Sequence, residues 1–257
     1  VLRVFTVDEC GGNPLGVVTD LAGLDAPAMQ QIAADLGFSE TVFFDPEDRQ
    51  PYVRIFTPAA ELAFAGHPLV GSGWVLGGQA DARGTMRCGV GDIAWRSTPT
   101  GAAVDVPFGS MVGRTDVPAG LVKALGAGPI AAGWEVDVPQ RYLLVEVAAA
   151  GNVADADPVS DAIAVADADG VYVFSREGDQ VRARFFAPRL GVDEDPATGS
   201  AAAALATVYA ATGTGSGALT IRQGPGRGVA DLGVSWNGGG ITLHGSVRED
   251  SPVVLDH

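Results

Sequence analysis

Short runs of β-branched and aromatic residues, broken by Gly, Pro or Asp, recur along most of this chain, and a few longer stretches carry helical spacing instead. "LRVFTV" (2–7) has strand character, and "GGNPLGVVTD" (11–20) turns and enters a second strand. "DAPAMQQIAADLGF" (25–38) predicts a helix, with Pro27 in its first turn and Gly37 just past its end. "SETVFF" (39–44) and "YVRIFTP" (52–58) predict strands, the second stopped by proline. "GHPLVGSGWVLGG" (66–78) predicts a short helix with Pro68 early and paired glycines closing it. Short strands are expected through "TMRCGVGDIAWRS" (85–97) and "GAAVDVPF" (101–108).

The Pro- and Gly-rich stretch 107–120 has the composition of a linker. Beyond it the pattern resumes with a helix in "AGLVKALG" (119–126) and strands in "RYLLVEV", "GVYVFS" and "VRARFFAP". An alanine-rich helix from Ser200 follows, and "GALTIRQG", "VADLGVSW" and "GGITLHGSV" close the chain as hairpin-like strands.

The halves echo each other. "RIFTP" (54–58) precedes Gly66-His67 and a helix by seven residues; "RFFAP" (184–188) precedes Gly199-Ser200 and a helix by ten. Two lobes are expected, each with a strand, a loop and a helix beginning at a Gly-polar step. A helix start exposes unpaired N–H groups and the positive end of its dipole. Two such starts facing one cleft would hold a carboxylate without Arg or Lys.

Charge and cysteines narrow the partners. With 31 acidic and 16 basic residues, the net charge of −15 argues against nucleic acid and anionic membranes. No apolar stretch reaches membrane-span length, and the N-terminal residues read as a strand rather than a signal peptide. Cys10 and Cys88 lack metal-type spacing and are expected as reduced thiols in a cytoplasmic protein; three histidines make a multi-histidine metal site improbable.

"GNPLGVV" (12–18), "SETVFF" (39–44), "RIFTPAAELAFAGHPLVG" (54–71), "RFFAPRLGVDEDPATGSAA" (184–202) and "RQGPGRG" (222–228) together resemble the PhzF-like family. Its members are isomerases named for phenazine biosynthesis and related in fold to diaminopimelate epimerase. The resemblance implies an α+β fold of two pseudo-symmetric lobes, each a curved sheet wrapped around a central helix. The division is expected at 1–113 and 114–257, with a last strand over 252–256 returning to the N-terminal lobe. It further implies proton transfer on a small carboxylic acid, without cofactor or metal, in a homodimer. Carried over, Glu40 is the principal acid/base, with His67 and Asp195 beside it. Ser200 and the N–H groups around Gly66 and Gly199 hold the substrate carboxylate.

Each residue also has a plainer reading. Glu40 alone is a rim charge, although burial beside Phe38, Val42, Phe43 and Phe44 would raise its pKa toward neutrality. His67 at a helix start is suited to capping or accepting a hydrogen bond. Asp195 precedes Pro196, which holds it extended and lets its side chain turn toward the helix. Asp193 and Glu194 are expected to be solvated, Ser200 to be a helix N-cap, and Asn13 to serve a turn. Gln223 and Arg227 sit in a Gly/Pro loop. Two other readings share these residues: a small-acid binding protein without turnover, and a Ser200–His67–Asp195 hydrolase that lacks a G-x-S-x-G elbow. A two-cysteine racemase needs thiols at the helix starts, where this chain has none.

Overall fold

The computed structural model describes residues 1–156, 163, 166–213, 215–225 and 229–254. The first half runs β1 (Leu2–Val4), β2 (Asn13–Val18), α1 (Ala26–Leu36), β3 (Glu40–Phe43), β4 (Arg54–Phe56), β5 (Glu61–Leu62), α2 (Gly66–Leu76), β6 (Ala82–Cys88), β7 (Gly91–Thr98) and β8 (Gly101–Val106). After β9 (Ser110–Arg114) and α3 (Ala119–Leu125), the second half repeats the scheme. It runs β10 (Ile130–Asp137), β11 (Arg141–Val147), α4 (Ala150–Ala154), β12 (Gly170–Glu177), β13 (Gln180–Ala187), β14 (Val192–Asp195), α5 (Gly199–Ala211), β15 (Gly217–Gln223), β16 (Ala230–Asn237) and β17 (Gly240–Glu249).

Strand pairing shows the repeat directly. β1–β2 and β10–β11 are antiparallel, whereas β2–β3 and β11–β12 are parallel across helical crossovers. β3–β4–β5 and β12–β13–β14 are antiparallel. Each lobe then inserts its helix and ends in an antiparallel meander, β6–β7–β8 or β15–β16–β17. The meander joins the earlier sheet in parallel: four paired residues between β13 and β15, and the single bridge Tyr52–Arg87 in the first lobe. This is an α+β fold of two pseudo-symmetric lobes.

β17 is the seam. It pairs with β16 over residues 240–244, with β8 over 241–246 and with β1 over 247–249. The return to the first lobe expected at 252–256 is made by this strand; residues 251–254 form no strand, and 255–257 lie outside the described residues. The linker expected at 107–120 contains β9, which pairs with β10, so the expected division at 113/114 falls within a strand. Backbone pairing with β10 holds this stretch extended despite its Pro and Gly content.

Capping decides the surface helix α1. Asp25 accepts the Ala28 N–H at its start, and Gly37 is left-handed at its end, where the sequence predicts the helix to stop. The central helices follow different rules. α2 buries every residue from Gly66 to Trp74, and α5 every residue from Gly199 to Val208. A helix without a polar face must be enclosed, and Gly and Ala make it thin enough for a curved sheet to wrap. At Gly71 an added Cβ would lie 2.4 Å from Leu15 Cδ2.

The motif echo has a structural counterpart. Arg54 on β4 forms a two-pronged ion pair with Glu61 (2.8 and 2.6 Å) and lies 5.0 Å over the Phe56 ring. Arg184 on β13 pairs with Glu194 in the same way (both 2.8 Å) and lies 4.9 Å over Phe186. Glu194 is therefore no solvated loop charge; it ties β14 to β13. Asp193 is exposed.

The two helix starts touch. An added Cβ on Gly66 would lie 2.6 Å from Gly199 Cα, and one on Gly199 would lie 2.8 Å from Gly66 Cα. Among the described residues, no helix is long and apolar enough to cross a membrane. Gly66→Ala and Gly199→Ala are each expected to destabilise the fold by about 1–3 kcal/mol through overpacking. Gly120→Ala, in α3 with no atom near the added Cβ, is expected to be neutral or slightly stabilising. Urea unfolding of the three variants checks this contrast.

Candidate active site

Paired glycines open the site. Gly11 and Gly12 adopt φ of 64° and 77°, and a Cβ on Gly11 would lie 2.2 Å from the Val229 carbonyl oxygen. Only glycine allows that turn against the second lobe, and it delivers Asn13 fully buried at the start of β2. Asn13 is therefore more than the turn residue its sequence suggests. Its amide nitrogen donates to Asp195 Oδ1 (2.6 Å) and to the Ala197 carbonyl (3.0 Å), and its oxygen accepts from Ser39 Oγ (3.0 Å).

Next to β2, β3 begins at Glu40, whose side chain is 13% exposed. The start of α2 brings His67 Nδ1 within 3.3 Å of Glu40 Oε2 and 3.3 Å of Asn13 Nδ2. From the other lobe, β14 ends at buried Asp195, and Pro196 prevents its continuation. Thr198 Oγ1 donates to Asp195 Oδ2 (2.6 Å). Gln223 Nε2 donates to Thr198 Oγ1 (2.8 Å) and to the Asp195 carbonyl (2.9 Å). Two carboxylates from opposite lobes thus meet beside one imidazole.

Ser200 is not the helix cap. Thr198 occupies that position, with its hydroxyl on Asp195 rather than on the helix backbone. The Ser200 hydroxyl shares a 2.9 Å hydrogen bond with Tyr142 OH, reaching in from β11.

Burial sets the charges. It pushes Glu40 up to about 8, aided by the negative charge of Asp195 and opposed by a hydrogen bond from Ser39. Asp195 rises to about 6 by burial, held back by hydrogen bonds from Thr198 and Asn13. Burial lowers His67 to about 3 against a hydrogen bond to the Pro14 carbonyl, so its ring is neutral at physiological pH. The two carboxyls titrate as a pair, with Asp195 the stronger acid.

Glu40, Tyr142, Asp195, Thr198 and Ser200 line a small pocket of about 20 Å³ together with the apolar side chains of Leu62, Phe64, Phe185 and Leu190. Gly66, His67 and Gly199 are not part of that lining: the glycines form the interlobe contact, and His67 lies against the Glu40 carboxylate. A larger groove of about 410 Å³ between β7, β8 and β17 holds none of these groups.

Sequence reasoning singles out Glu40, His67, Asp195 and Ser200, and the structure gathers all four. It passes over Tyr142, a tyrosine in an apolar strand with no local signal. Thr198 stands inside the quoted motif, yet its role depends on Asp195 folding back toward it. Gln223 proves buried and bonded to both; Arg227 lies outside the described residues.

Known proteins resemble this chain along most of its length. A family model described as "Phenazine biosynthesis-like protein" matches residues 2–102 and 132–227, which include every residue of the site. An uncharacterized isomerase from Mesorhizobium japonicum is 34% identical over 258 residues, covering 86% of this chain and 84% of that protein. The trans-2,3-dihydro-3-hydroxyanthranilate isomerase of Pseudomonas chlororaphis is 34% identical over 217 residues, covering 80% of this chain and 77% of that one. Among solved structures, a predicted epimerase from Pseudomonas aeruginosa superposes with a TM-score of 0.82 at 28% identity, covering 100% of this chain and 98% of that one. A probable proline racemase from Agrobacterium radiobacter shares the fold alone, with a TM-score of 0.68 at 13% identity, covering 100% of this chain and 94% of that one.

Glu40 makes stability depend on pH. Unfolded, its carboxyl ionises near its ordinary value of 4.5; folded, it ionises at about 8. Between those values unfolding releases the proton, so this group's contribution to stability is lost as pH rises. Glu40→Gln carries no such penalty. It is expected to match the wild type below about pH 4 and to exceed it by about 2 kcal/mol or more above pH 8, by chemical denaturation.

Proposed function

This chain belongs to the phenazine biosynthesis-like protein family and is an isomerase, and we propose that it moves a proton on a small carboxylic acid with Glu40 as acid and base. The observation that carries the proposal is the meeting of Glu40 and Asp195 from opposite lobes, with Glu40 pushed up to about 8. A carboxyl that ionises near the working pH takes up and returns protons more readily than an ordinary glutamate.

In the proposed cycle, ionised Glu40 takes a proton from an acidified carbon, breaking the C–H bond as its own O–H bond forms. The same carboxyl then delivers a proton to a second carbon and returns to its starting state. Asp195 supplies a fixed charge, and neutral His67 fixes the position of Glu40. Ser200 and Tyr142, with the first N–H groups of α5, receive the substrate carboxylate. These groups need no cofactor for proton transfer. A pocket of about 20 Å³ holds little more than one water, so substrate binding requires this site to open further.

The hydrolase reading loses its footing here, because the Ser200 hydroxyl is bonded to Tyr142 while His67 lies against Glu40 and Asn13. A homodimer and a cytoplasmic setting belong to the same proposal, the first checked by sedimentation.

The test is deuterium incorporation from heavy water, read by mass spectrometry. The acid named for the Pseudomonas chlororaphis relative comes first, followed by other small unsaturated acids. The wild type is expected to label its substrate, faster as pH rises toward about 8, because the base form of Glu40 appears over that range. Glu40→Gln is expected to lower the rate by about 10²–10⁴-fold, and His67→Asn by less. Labelling by Glu40→Gln at the wild-type rate would remove Glu40 as the base. Binding of an acid without labelling would favour the non-catalytic binder.

A further inference from the structure

The hydrogens around Asp195 have one consistent arrangement. Asn13 Oδ1 receives the Ser39 hydroxyl, and Asn13 Nδ2 faces Asp195 Oδ1 and the Ala197 carbonyl. A peptide carbonyl only accepts, so the amide orientation is determined, and these two contacts use both of its hydrogens. The His67 ring, 3.3 Å from the same nitrogen, receives none of them. On the other side, Gln223 Nε2 donates to Thr198 Oγ1 and to the Asp195 carbonyl. That leaves the Thr198 hydroxyl hydrogen pointing at Asp195 Oδ2, 2.6 Å away. Asp195 therefore receives a donor on each oxygen. Glu40 Oε2 is also buried and accepts no hydrogen bond, although His67 Nδ1 lies 3.3 Å from it, and the hydrogen bond that opposes the Glu40 shift comes from Ser39 alone.

We propose that Asn13 and Thr198 are positioning residues that hold Asp195 as the anion and so place the single proton of the carboxylate pair on Glu40. A carboxylate with a donor on each oxygen is stabilised in its charged form more than a buried one with a donor on one oxygen at most. The other titratable groups facing the pair are neutral near pH 7: His67 on α2 is lowered by burial, and Tyr142 on β11 is raised by it. No cation figures among the groups that shift either carboxyl. The polarity of the network thus separates two chemically similar side chains, making one the group that takes up and returns the proton and the other a fixed charge.

The catalytic meaning of this assignment rests on the proton-transfer reading; the assignment itself can be measured without turnover. Carbon-13 NMR of the full chain, labelled at the Asp and Glu side-chain carboxyls, follows each signal from about pH 4 to 9. Asp195→Asn and Glu40→Gln identify the two signals. Asp195 is expected to ionise first and Glu40 above neutrality. Thr198→Val and Asn13→Leu each remove one donor, and each is expected to raise the Asp195 midpoint by about one pH unit or more. Thr198→Ser keeps the hydroxyl and is expected to keep the wild-type midpoint, which a merely structural role for Thr198 would not require. If Asn13→Leu fails to fold, Thr198→Val decides alone. Glu40 ionising before Asp195, or an unmoved Asp195 midpoint in the folded donor variants, overturns the inference. Absence of deuterium exchange would instead strike the proposed reaction and leave the titration order standing.

Discussion

Two helix starts can lie backbone against backbone only if neither carries a side chain at the contact, and the rest of this structure depends on that condition at Gly66 and Gly199. A Cβ on either would sit well inside van der Waals contact with the other helix. Because both are glycine, the ends of the strands leading into α2 and α5 converge, and their polar residues meet. The same contact sets two positive helix ends side by side, an arrangement that repels unless negative charge lies near. Asp195, ionised and within the first lobe's reach through Asn13, supplies it.

Each lobe reaches this junction by the same scaffold. The Arg–Glu pair on adjacent strands, with the guanidinium over a phenylalanine two residues on, braces the strand that leads toward the helix start. The lobes differ in where the arginine reaches next: Arg54 approaches Met29 on α1, whereas Arg184 also contacts carbonyls at the end of α4. One brace has thus been fitted to two crossovers, a surface helix of three turns and a much shorter one. Pseudo-symmetry is kept where the lobes must meet and relaxed where they face solvent.

At the junction the environment is dry, and dryness gives the polar groups their character. In water Glu40 and Asp195 would both be ordinary carboxylates. Enclosed, each is costly to ionise, and the pair is more costly still, so hydrogen bonding decides which of them keeps the charge. Asn13, Thr198 and Gln223 are buried for that purpose, and none of them needs to touch a substrate to matter.

Local patterns were enough to determine most of the elements and the repeat, but not β5, β9, β10, α4 or β14. Pro27, Gly37 and the N-cap Asp25 bound α1 by rules that act within a few residues, and alternating apolar positions define the strands. The Gly-polar steps before two all-apolar helices marked both lobes, and the quoted motifs held Glu40, His67, Asp195 and Ser200. What the chain did not show locally was pairing across great sequence separation. Among the described residues the strand that closes onto the first lobe is 240–249, because residues 241–246 find partners on β8 and 247–249 on β1. Glu194 became an ion-pair partner only when β14 folded against Arg184. Asn13 became a bridge only when the second lobe brought Asp195, 182 residues away, to within 2.6 Å. Tyr142 gained a role the same way, from Ser200 on another element. Short-range sterics and capping are written into neighbouring residues; burial and hydrogen-bond partnership come from distant ones, and only the tertiary structure decides them.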